Sequence, residues 1–208
     1  GAWRVIQWHN SVPVSNAQIF GVELTTTLDG LVASVLSDES HLAVAGSEGT
    51  MTLVFTDIVE STALAETVGD VSWVEVISAH ESSIRRITGS QGGTVVKFLG
   101  DGSMLSFESA RAAVRASVEI QRAAFDAMFD VRIGIHTGEV MRTAGDLLGV
   151  TVNKAARVAA AAGAGEIKIS STTRDLVGSM DGIRIGEPET VALRGLSGTH
   201  QVVLINWD

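Results

Sequence analysis

The sequence predicts an α+β fold, in which an antiparallel sheet built in the order βαββαβ carries its helices on one face. Short apolar runs of strand length alternate with two long stretches whose apolar residues recur at three- and four-residue steps, and glycine-rich breaks separate them. This order is that of a ferredoxin-like core with helices packed on the sheet. With 208 residues and 45% hydrophobic content, the chain is long enough for one sizeable domain and an appendage.

The regular alternation of predicted strands and helices starts at Met51, and glycine-containing breaks and turns separate its elements. Gln91-Gly92-Gly93 ends the first helical stretch, Asp101-Gly102 turns a hairpin, and Gly163 closes an alanine-rich helix. The predicted elements are a strand at 51–57, a helix at 61–90, strands at 94–99 and 103–107, a helix at 109–128, strands at 131–136 and 139–142, a helix at 150–162, a strand at 166–170, a helix at 171–177, and C-terminal strands at 183–193 and 201–205.

Residues 1–50 differ from the rest and predict a strand and helix stub followed by a linker. A β-rich run spans Trp3–Trp8, helical spacing spans Leu28–Leu36, and a segment rich in Ser, Gly and Glu spans Ser37–Thr50. The run WRVIQWHNS resembles the last strand of small SnoaL-like domains. We therefore expect the remnant of such a domain at 1–50 and a second domain at 51–208. Because the chain starts at Gly1, we expect it to be a fragment of a longer protein.

Composition excludes several classes of function. The formal net charge of −9 disfavours a nucleic-acid partner, and an anionic substrate would need local basic residues or a metal ion. With no cysteine, the chain forms neither disulfides nor a thiolate zinc site. No apolar run approaches the roughly 20 residues of a membrane span. We expect a cytoplasmic domain without membrane insertion.

Two short apolar runs end in an aspartate. Leu53, Val54 and Phe55 lead to Asp57 in the fragment FTDIVEST, and KFLGDG ends at Asp101. Either aspartate alone is as readily a turn former or a helix cap. If both strands deliver their carboxylates to neighbouring ends, the pair would suit Mg²⁺, which takes few carboxylates and leaves the remaining positions to water and phosphate.

A third polar cluster lies in GDLLGVTVNKAARV. Asn153 and Arg157 are four residues apart and share one face of a helix, and Asp146 lies just ahead of it. Arg132 and Arg194 add cations on or beside strands. Taken alone, Asn153 and Arg157 fit a structural or surface role as well as a functional one, whereas Arg132 and Arg194 fit solvated surface arginines better.

Taken together, the motifs FTDIVEST, VVKFLGDGSMLSF, VRIGIHTGEV, GDLLGVTVNKAARV and VALRGLSG resemble the catalytic domain of class III nucleotidyl cyclases, over about residues 50–205. The compact stretch from His136 to Asn153 resembles the bacterial, mycobacterial-type subgroup. The resemblance implies two Mg²⁺ or Mn²⁺ ions per active site, ATP as substrate, and a head-to-tail homodimer with two shared sites.

The resemblance also implies a role for each matching residue. By this resemblance, the metal ions are bound by Asp57, Asp101 and the carbonyl of Ile58, and the purine is recognised by Lys97 and Asp146. Asn153 and Arg157 contact the ribose and the transition state, and Arg132 and Arg194 bind the polyphosphate. Backbone N–H groups at Ser61 and Thr62 would cradle phosphate at a helix start. Arg194 stands where many members have lysine, so a planar guanidinium with several N–H donors replaces a compact ammonium group.

The purine pair favours adenine. Adenine offers an N1 acceptor and an N6 donor, which complement a Lys donor beside an Asp acceptor, whereas guanine reverses that order. Mismatched buried polar groups give such sites strong discrimination. The sequence therefore predicts an adenylate cyclase. The alternatives are a guanylate cyclase acting on GTP, a catalytically silent nucleotide-binding dimerisation module, and a phosphohydrolase that uses the same metals on water.

Overall fold

The computed structural model describes residues 48–143 and 146–207, which form one mixed sheet with helices on both faces. The N-terminal strand, helix and SnoaL-like run predicted before residue 48 lie outside the described residues. Within these residues the eight strands are β1 Glu48–Ile58, β2 Thr94–Leu99, β3 Gly102–Phe107, β4 Val131–Arg142, β5 Leu147–Leu148, β6 Ile167–Ser170, β7 Arg184–Val191 and β8 His200–Asn206. Seven of them follow the order β2-β3-β1-β4-β6-β8-β7, and β5 pairs with β4.

The predicted ferredoxin-like core is confirmed. Strands β2, β3, β1 and β4 are antiparallel neighbours, whereas β6 joins β4 in parallel. Alternation along β1 sends Val54 to one face and Leu53 and Phe55 to the other, so the strand is buried on both sides. The sheet is therefore mixed, because the chain crosses over through a helix between β4 and β6.

The described residues form five helices: α1 Ser61–Val68, α2 Asp70–Ser90, α3 Ala110–Asp126, α4 Val150–Ala160 and α5 Ser171–Val177. Helices α2 and α3 pack on one face, as predicted for the βαββαβ unit, through residues such as Ile84, Ile87 and Val114. Helix α4 packs on the opposite face through Val152 and Ala156, a placement that the element order did not predict.

Three predicted element boundaries differ from the structure. The single helix expected at 61–90 is two helices, because Gly69 adopts φ 81° and ψ 157° between them. The two strands expected at 131–136 and 139–142 are one continuous strand, β4, because Gly138 stays in the ladder opposite Met51. In addition, β1 begins at Glu48, three residues before the predicted start.

Helix α4 approaches β4 closely at two glycines. A Cβ added to Gly134 would lie 2.0 Å from the backbone N of Ala159, and one added to Gly138 would lie 2.6 Å from Thr151 Oγ1. Only glycine leaves room for this contact. Among the helices that the structure describes, none is long and apolar enough to cross a membrane.

Candidate active site

The two predicted metal-binding aspartates lie together where β1 and β3 meet. Asp57 is the Cα partner of Gly102 in the β1–β3 ladder, so Asp101 precedes the residue that faces Asp57. Asp101 sits in the two-residue turn between β2 and β3, in which Gly100 has φ 76°. A positive φ at the first turn position favours glycine, and the tight turn places the aspartate at the end of the sheet.

Both carboxylates are buried and under-coordinated. Asp57 is 1% exposed and Asp101 is 8% exposed. Asp57 Oδ1 and both oxygens of Asp101 have no hydrogen bond of ordinary geometry among the described residues. Buried polar atoms normally have partners, so three orphaned oxygens at one place mark a site that is completed by something else.

The electrostatics of the pair agree with this interpretation. Burial and the neighbouring Asp101 carboxylate raise the pKa of Asp57 from 3.8 to about 6, although Arg132 opposes the rise. Burial also raises the pKa of Asp101, and the nearby Ser61 hydroxyl and the aspartate's own backbone N–H offset part of that rise. Two carboxylates close to each other in a low-dielectric site are costly without a cation between them.

These residues fit a hard divalent cation. Carboxylate oxygens are the ligands that Mg²⁺ prefers, and it needs only one or two carboxylates. In the part of the chain that the structure describes, no group of three or more His, Cys, Asp or Glu side chains is arranged to hold a metal ion. The orphaned oxygens of the aspartate pair are therefore the natural ligands. Ile58 ends β1 beside Asp57, with its side chain buried in the core.

Arg132 lies at the same end of the sheet and binds Asp57 directly. The two residues are Cα partners in the β1–β4 ladder, and both Nε and Nη2 donate to Asp57 Oδ2, at 2.8 and 2.5 Å. The resemblance implied a polyphosphate contact for Arg132, and no local pattern predicted the ion pair. The pairing depends on the register of two strands that are 75 residues apart.

Helix α1 begins directly beside the aspartates. Its N-cap, Glu60, has φ 54° and ψ 33°, a left-handed conformation that is uncommon for residues other than glycine, and no side chain caps the helix. Ser61 is buried, and its hydroxyl acts on Asp101, whereas Thr62 is exposed in the first turn. The first N–H groups of a helix have no acceptor within it, so this turn presents donors close to the carboxylates.

The predicted purine-reading pair is also brought together. Lys97 Nζ lies 2.5 Å from Asp146 Oδ2, and the two side chains are 25% and 24% exposed. The backbone N–H of Leu147 donates to Asp146 Oδ1 at 2.8 Å, which orients the carboxylate. A cavity of about 350 Å³ opens beside Asp146 and is lined on its apolar side by Met51, Val96 and Leu147.

Helix α4 carries Asn153 and Arg157 on its less buried side, and the loop before β8 reaches the same helix. A Cβ on Gly195 would lie 3.9 Å from Arg157 Nη2, so the loop that contains Arg194 passes next to Arg157. Arg194 itself is exposed. Asn153 Oδ1 is buried without a hydrogen-bond partner among the described residues.

The predicted site residues therefore occupy distinct places in one chain. One cluster combines Asp57, Asp101 and Arg132 with the start of α1, the second is the Lys97–Asp146 pair, and the third lies along α4 and the loop before β8. Neither Asn153 nor Arg157 donates a hydrogen bond to the three orphaned aspartate oxygens. His136, which we did not assign to the site, is buried, hydrogen-bonded to Ser170, and its pKa is lowered by burial to about 4.

Comparisons with known proteins agree with this architecture. The family described as adenylate and guanylate cyclase catalytic domain matches residues 43–206. An adenylate cyclase of Streptomyces coelicolor is 32% identical over 106 residues, which are 50% of this chain and 28% of that protein. This chain spans about half the length, 48% and 45%, of the mycobacterial relatives that it matches.

Solved cyclase structures share the fold. The guanylyl cyclase Cya2 superimposes with a TM-score of 0.71 at 25% identity, covering 78% of this chain and 94% of that structure. The adenylyl cyclase CyaB from P. aeruginosa gives 0.68 at 26% identity, covering 78% and 96%. The fold is that of class III cyclase catalytic domains. The chain belongs to the adenylate and guanylate cyclase catalytic domain family, which confirms the resemblance seen in its motifs.

Proposed function

We propose that this domain is an adenylate cyclase, which converts ATP to 3′,5′-cyclic AMP and pyrophosphate in a homodimer with two shared sites. The observation that carries the proposal is the set of three orphaned oxygens on the buried pair Asp57 and Asp101. Within a cyclase family, two converging carboxylates that lack partners are the expected protein part of a metal-dependent active site.

Two divalent cations, when bound, lower the pKa of the ribose 3′-hydroxyl and offset the charge that develops on the leaving pyrophosphate. Asp57, Asp101 and the Ile58 carbonyl would hold them. The 3′-oxygen forms a bond to the α-phosphorus while the bond to the bridging oxygen of pyrophosphate breaks, and the hydroxyl proton passes to water. Mg²⁺ and Mn²⁺ both suit oxygen ligands.

Other residues bind and orient the nucleotide. Arg132, Arg194 and the N–H groups at Ser61 and Thr62 bind the polyphosphate, and Asn153 orients the ribose. Arg157 stabilises charge on the α-phosphate, and losing one preorganised donor of this kind typically lowers the rate by about 10²–10³-fold.

Lys97 and Asp146 support adenine as the base. They form an ion pair at 2.5 Å, yet each retains hydrogen-bonding capacity, Lys97 as a donor and Asp146 as an acceptor. Together they would donate to adenine N1 and accept from its N6 amino group. The adjoining cavity of about 350 Å³ has an apolar side against which a base can pack.

The separate clusters support a shared site. A site assembled from two copies would combine the aspartates of one chain with α4 and the Lys97–Asp146 pair of the other. A two-fold dimer, the commonest assembly of soluble proteins, creates two such sites.

Product identification tests the proposal. The 208-residue chain is incubated with ATP or GTP in Mn²⁺, and products are separated by chromatography. We expect cyclic AMP and pyrophosphate, a much slower reaction with GTP, and no product from Asp57→Ala. Asp126→Ala, which removes an exposed carboxylate at the end of α3, serves as the matched control and keeps full activity. Preferential turnover of GTP would favour the guanylate cyclase alternative, which the likeness to Cya2 also suggests, and release of AMP or ADP would indicate a phosphohydrolase.

Mixing experiments test the shared site. Asp57→Ala and Arg157→Ala are each expected to be inactive, and mixing them forms heterodimers in which one hybrid site retains both residues. Activity should then return in part. If heterodimers form and remain inactive, each site is built within one chain.

A further inference from the structure

The ion pair between Arg132 and Asp57 divides the four oxygens of the aspartate pair into two classes. Arg132 donates twice to Asp57 Oδ2, through Nε at 2.8 Å and Nη2 at 2.5 Å. Asp57 Oδ1 and both oxygens of Asp101 have no hydrogen bond of ordinary geometry among the described residues. One oxygen therefore already faces a cationic group, and three remain available to a metal ion.

Charge limits how many divalent cations this arrangement accepts. Asp57, Asp101 and Arg132 together carry one negative charge, which a single divalent ion already exceeds. A second ion that used Asp57 Oδ2 would have to displace the guanidinium and would face both the first ion and Arg132 in a site where burial reduces screening. The phosphate charges of a nucleotide remove this obstacle.

Arg132 is able to change partners. The Arg132 side chain is 28% exposed, whereas that of Asp57 is 1% exposed, so the guanidinium lies at the solvent side of the pair. A guanidinium binds phosphate through the same pairs of N–H donors that it uses for carboxylate. A polyphosphate that arrives at the start of α1 therefore competes with Asp57 Oδ2 for Arg132.

We propose that Arg132 acts as a placeholder for the second metal ion. Without nucleotide the site binds one divalent cation, through Asp57 Oδ1 and Asp101, while Arg132 stays on Asp57 Oδ2. The polyphosphate draws Arg132 away, and only then does Oδ2 accept the second cation. This inference rests on the proposed metal-dependent cyclase function, and it makes occupancy of the second metal position conditional on polyphosphate.

The first experiment counts bound Mn²⁺ by electron paramagnetic resonance on the full chain. We expect one Mn²⁺ per chain without nucleotide and a second when 3′-deoxyATP is added, since this analogue lacks the attacking hydroxyl. A parallel sample with 3′-deoxyGTP covers the other base. Asp101→Asn should lose the nucleotide-independent ion, and Arg86→Gln, which removes an exposed guanidinium on α2, should behave as the wild type. Two ions or none without nucleotide would overturn the inference.

The second experiment follows Arg132 itself by ¹⁵N NMR of arginine Nε–H groups, with Mg²⁺ as the diamagnetic ion. The Arg132 signal is assigned by its loss in Arg132→Gln, or in Arg132→Lys if the first variant does not fold. We expect a small shift with Mg²⁺ alone, because the guanidinium keeps Asp57 Oδ2 as its partner, and a larger shift when 3′-deoxyATP is added. A large shift with Mg²⁺ alone, or no further shift when nucleotide is added to Mg²⁺, would overturn the exchange.

The two levels of proposal fail differently. If cyclic nucleotide forms and depends on Asp57 and Asp101 but the Arg132 signal never moves, the placeholder role is wrong and the function stands. If neither Mn²⁺ binding nor catalysis depends on Asp101, the proposed metal site itself is wrong.

Discussion

Gly134→Ala tests how tightly α4 is held against the sheet. The added Cβ would lie 2.0 Å from Ala159 N, 2.3 Å from Ala159 Cα and 2.6 Å from Val158 C, all of them backbone atoms. Because no side-chain rotation relieves such contacts, α4 must shift by about 1.5 Å to restore an ordinary separation of about 3.5 Å.

The structure sets the size of the effect. Overpacking of a core costs about 1–3 kcal/mol, and a backbone clash belongs at the upper end. For a domain of this size we expect the melting temperature to fall by about 6–12 °C. Asn153 and Arg157 move with α4, and a misplacement of about 1 Å can cost about 10²-fold in rate, so kcat/KM should fall at least that much.

The assays are thermal unfolding by circular dichroism and initial rates of cyclic nucleotide formation at a temperature where the variant is folded. Gly89→Ala on α2 is the matched control, because nothing lies within 4 Å of its added Cβ. It should be neutral or more stable by about 0.5–1 kcal/mol, as expected for Gly→Ala inside a helix. A Gly134→Ala protein with unchanged melting temperature and kcat/KM would refute the inferred contact.

Three further predictions follow from the site and the core. Lys97→Glu combined with Asp146→Cys should shift the preference from ATP toward GTP, and an unchanged ratio of kcat/KM values would contradict the assignment of the base-reading pair. Burial lowers the pKa of His80 from 6.5 to about 4, so the unfolded chain takes up a proton at a higher pH than the folded protein does. The free energy of unfolding of the wild type should therefore fall by about 2 kcal/mol between pH 7.5 and pH 5, and His80→Phe should not show this loss. Equal pH dependence of the free energy of unfolding in urea would argue against this buried neutral histidine. Because burial raises the pKa of Asp101, its ionised form destabilises the metal-free fold at neutral pH. Without metal, Asp101→Asn should therefore melt at a higher temperature than the wild type, and Mg²⁺ should not raise its melting temperature further. A variant that Mg²⁺ still stabilises would disprove metal binding by Asp101.

Local sequence determined much of the fold. The β2–β3 hairpin predicted from KFLGDG is present, although its turn is Gly100-Asp101, one residue before the predicted Asp101-Gly102, and the helix at Ser171–Val177 has the predicted bounds. Alternation and helical spacing define which residues of an element face a core, and turn chemistry defines where an element ends. These signals act over a few residues, so one sequence is enough to read them.

The sequence also predicted the site residues, because each of them lies in one of the family motifs. The juxtaposition of Asp57 and Asp101 was expected from two strand ends, and the short Lys97–Asp146 distance agrees with a pair read from motifs alone. The hydrogen bonds and ion pairs within the site were not accessible in the same way.

Tertiary structure alone decided three features: the Asp57–Arg132 ion pair, the position of α4 on the second face of the sheet, and the parallel pairing of β6 with β4. Each depends on which distant segments become neighbours and in what register. The hydrophobic pattern of a strand shows which of its faces are buried but does not identify the neighbouring strand. A strand such as β1, which is buried on both faces, has the same pattern whichever helix covers it. Strand register and helix placement therefore determine which cations and donors finally surround the two carboxylates.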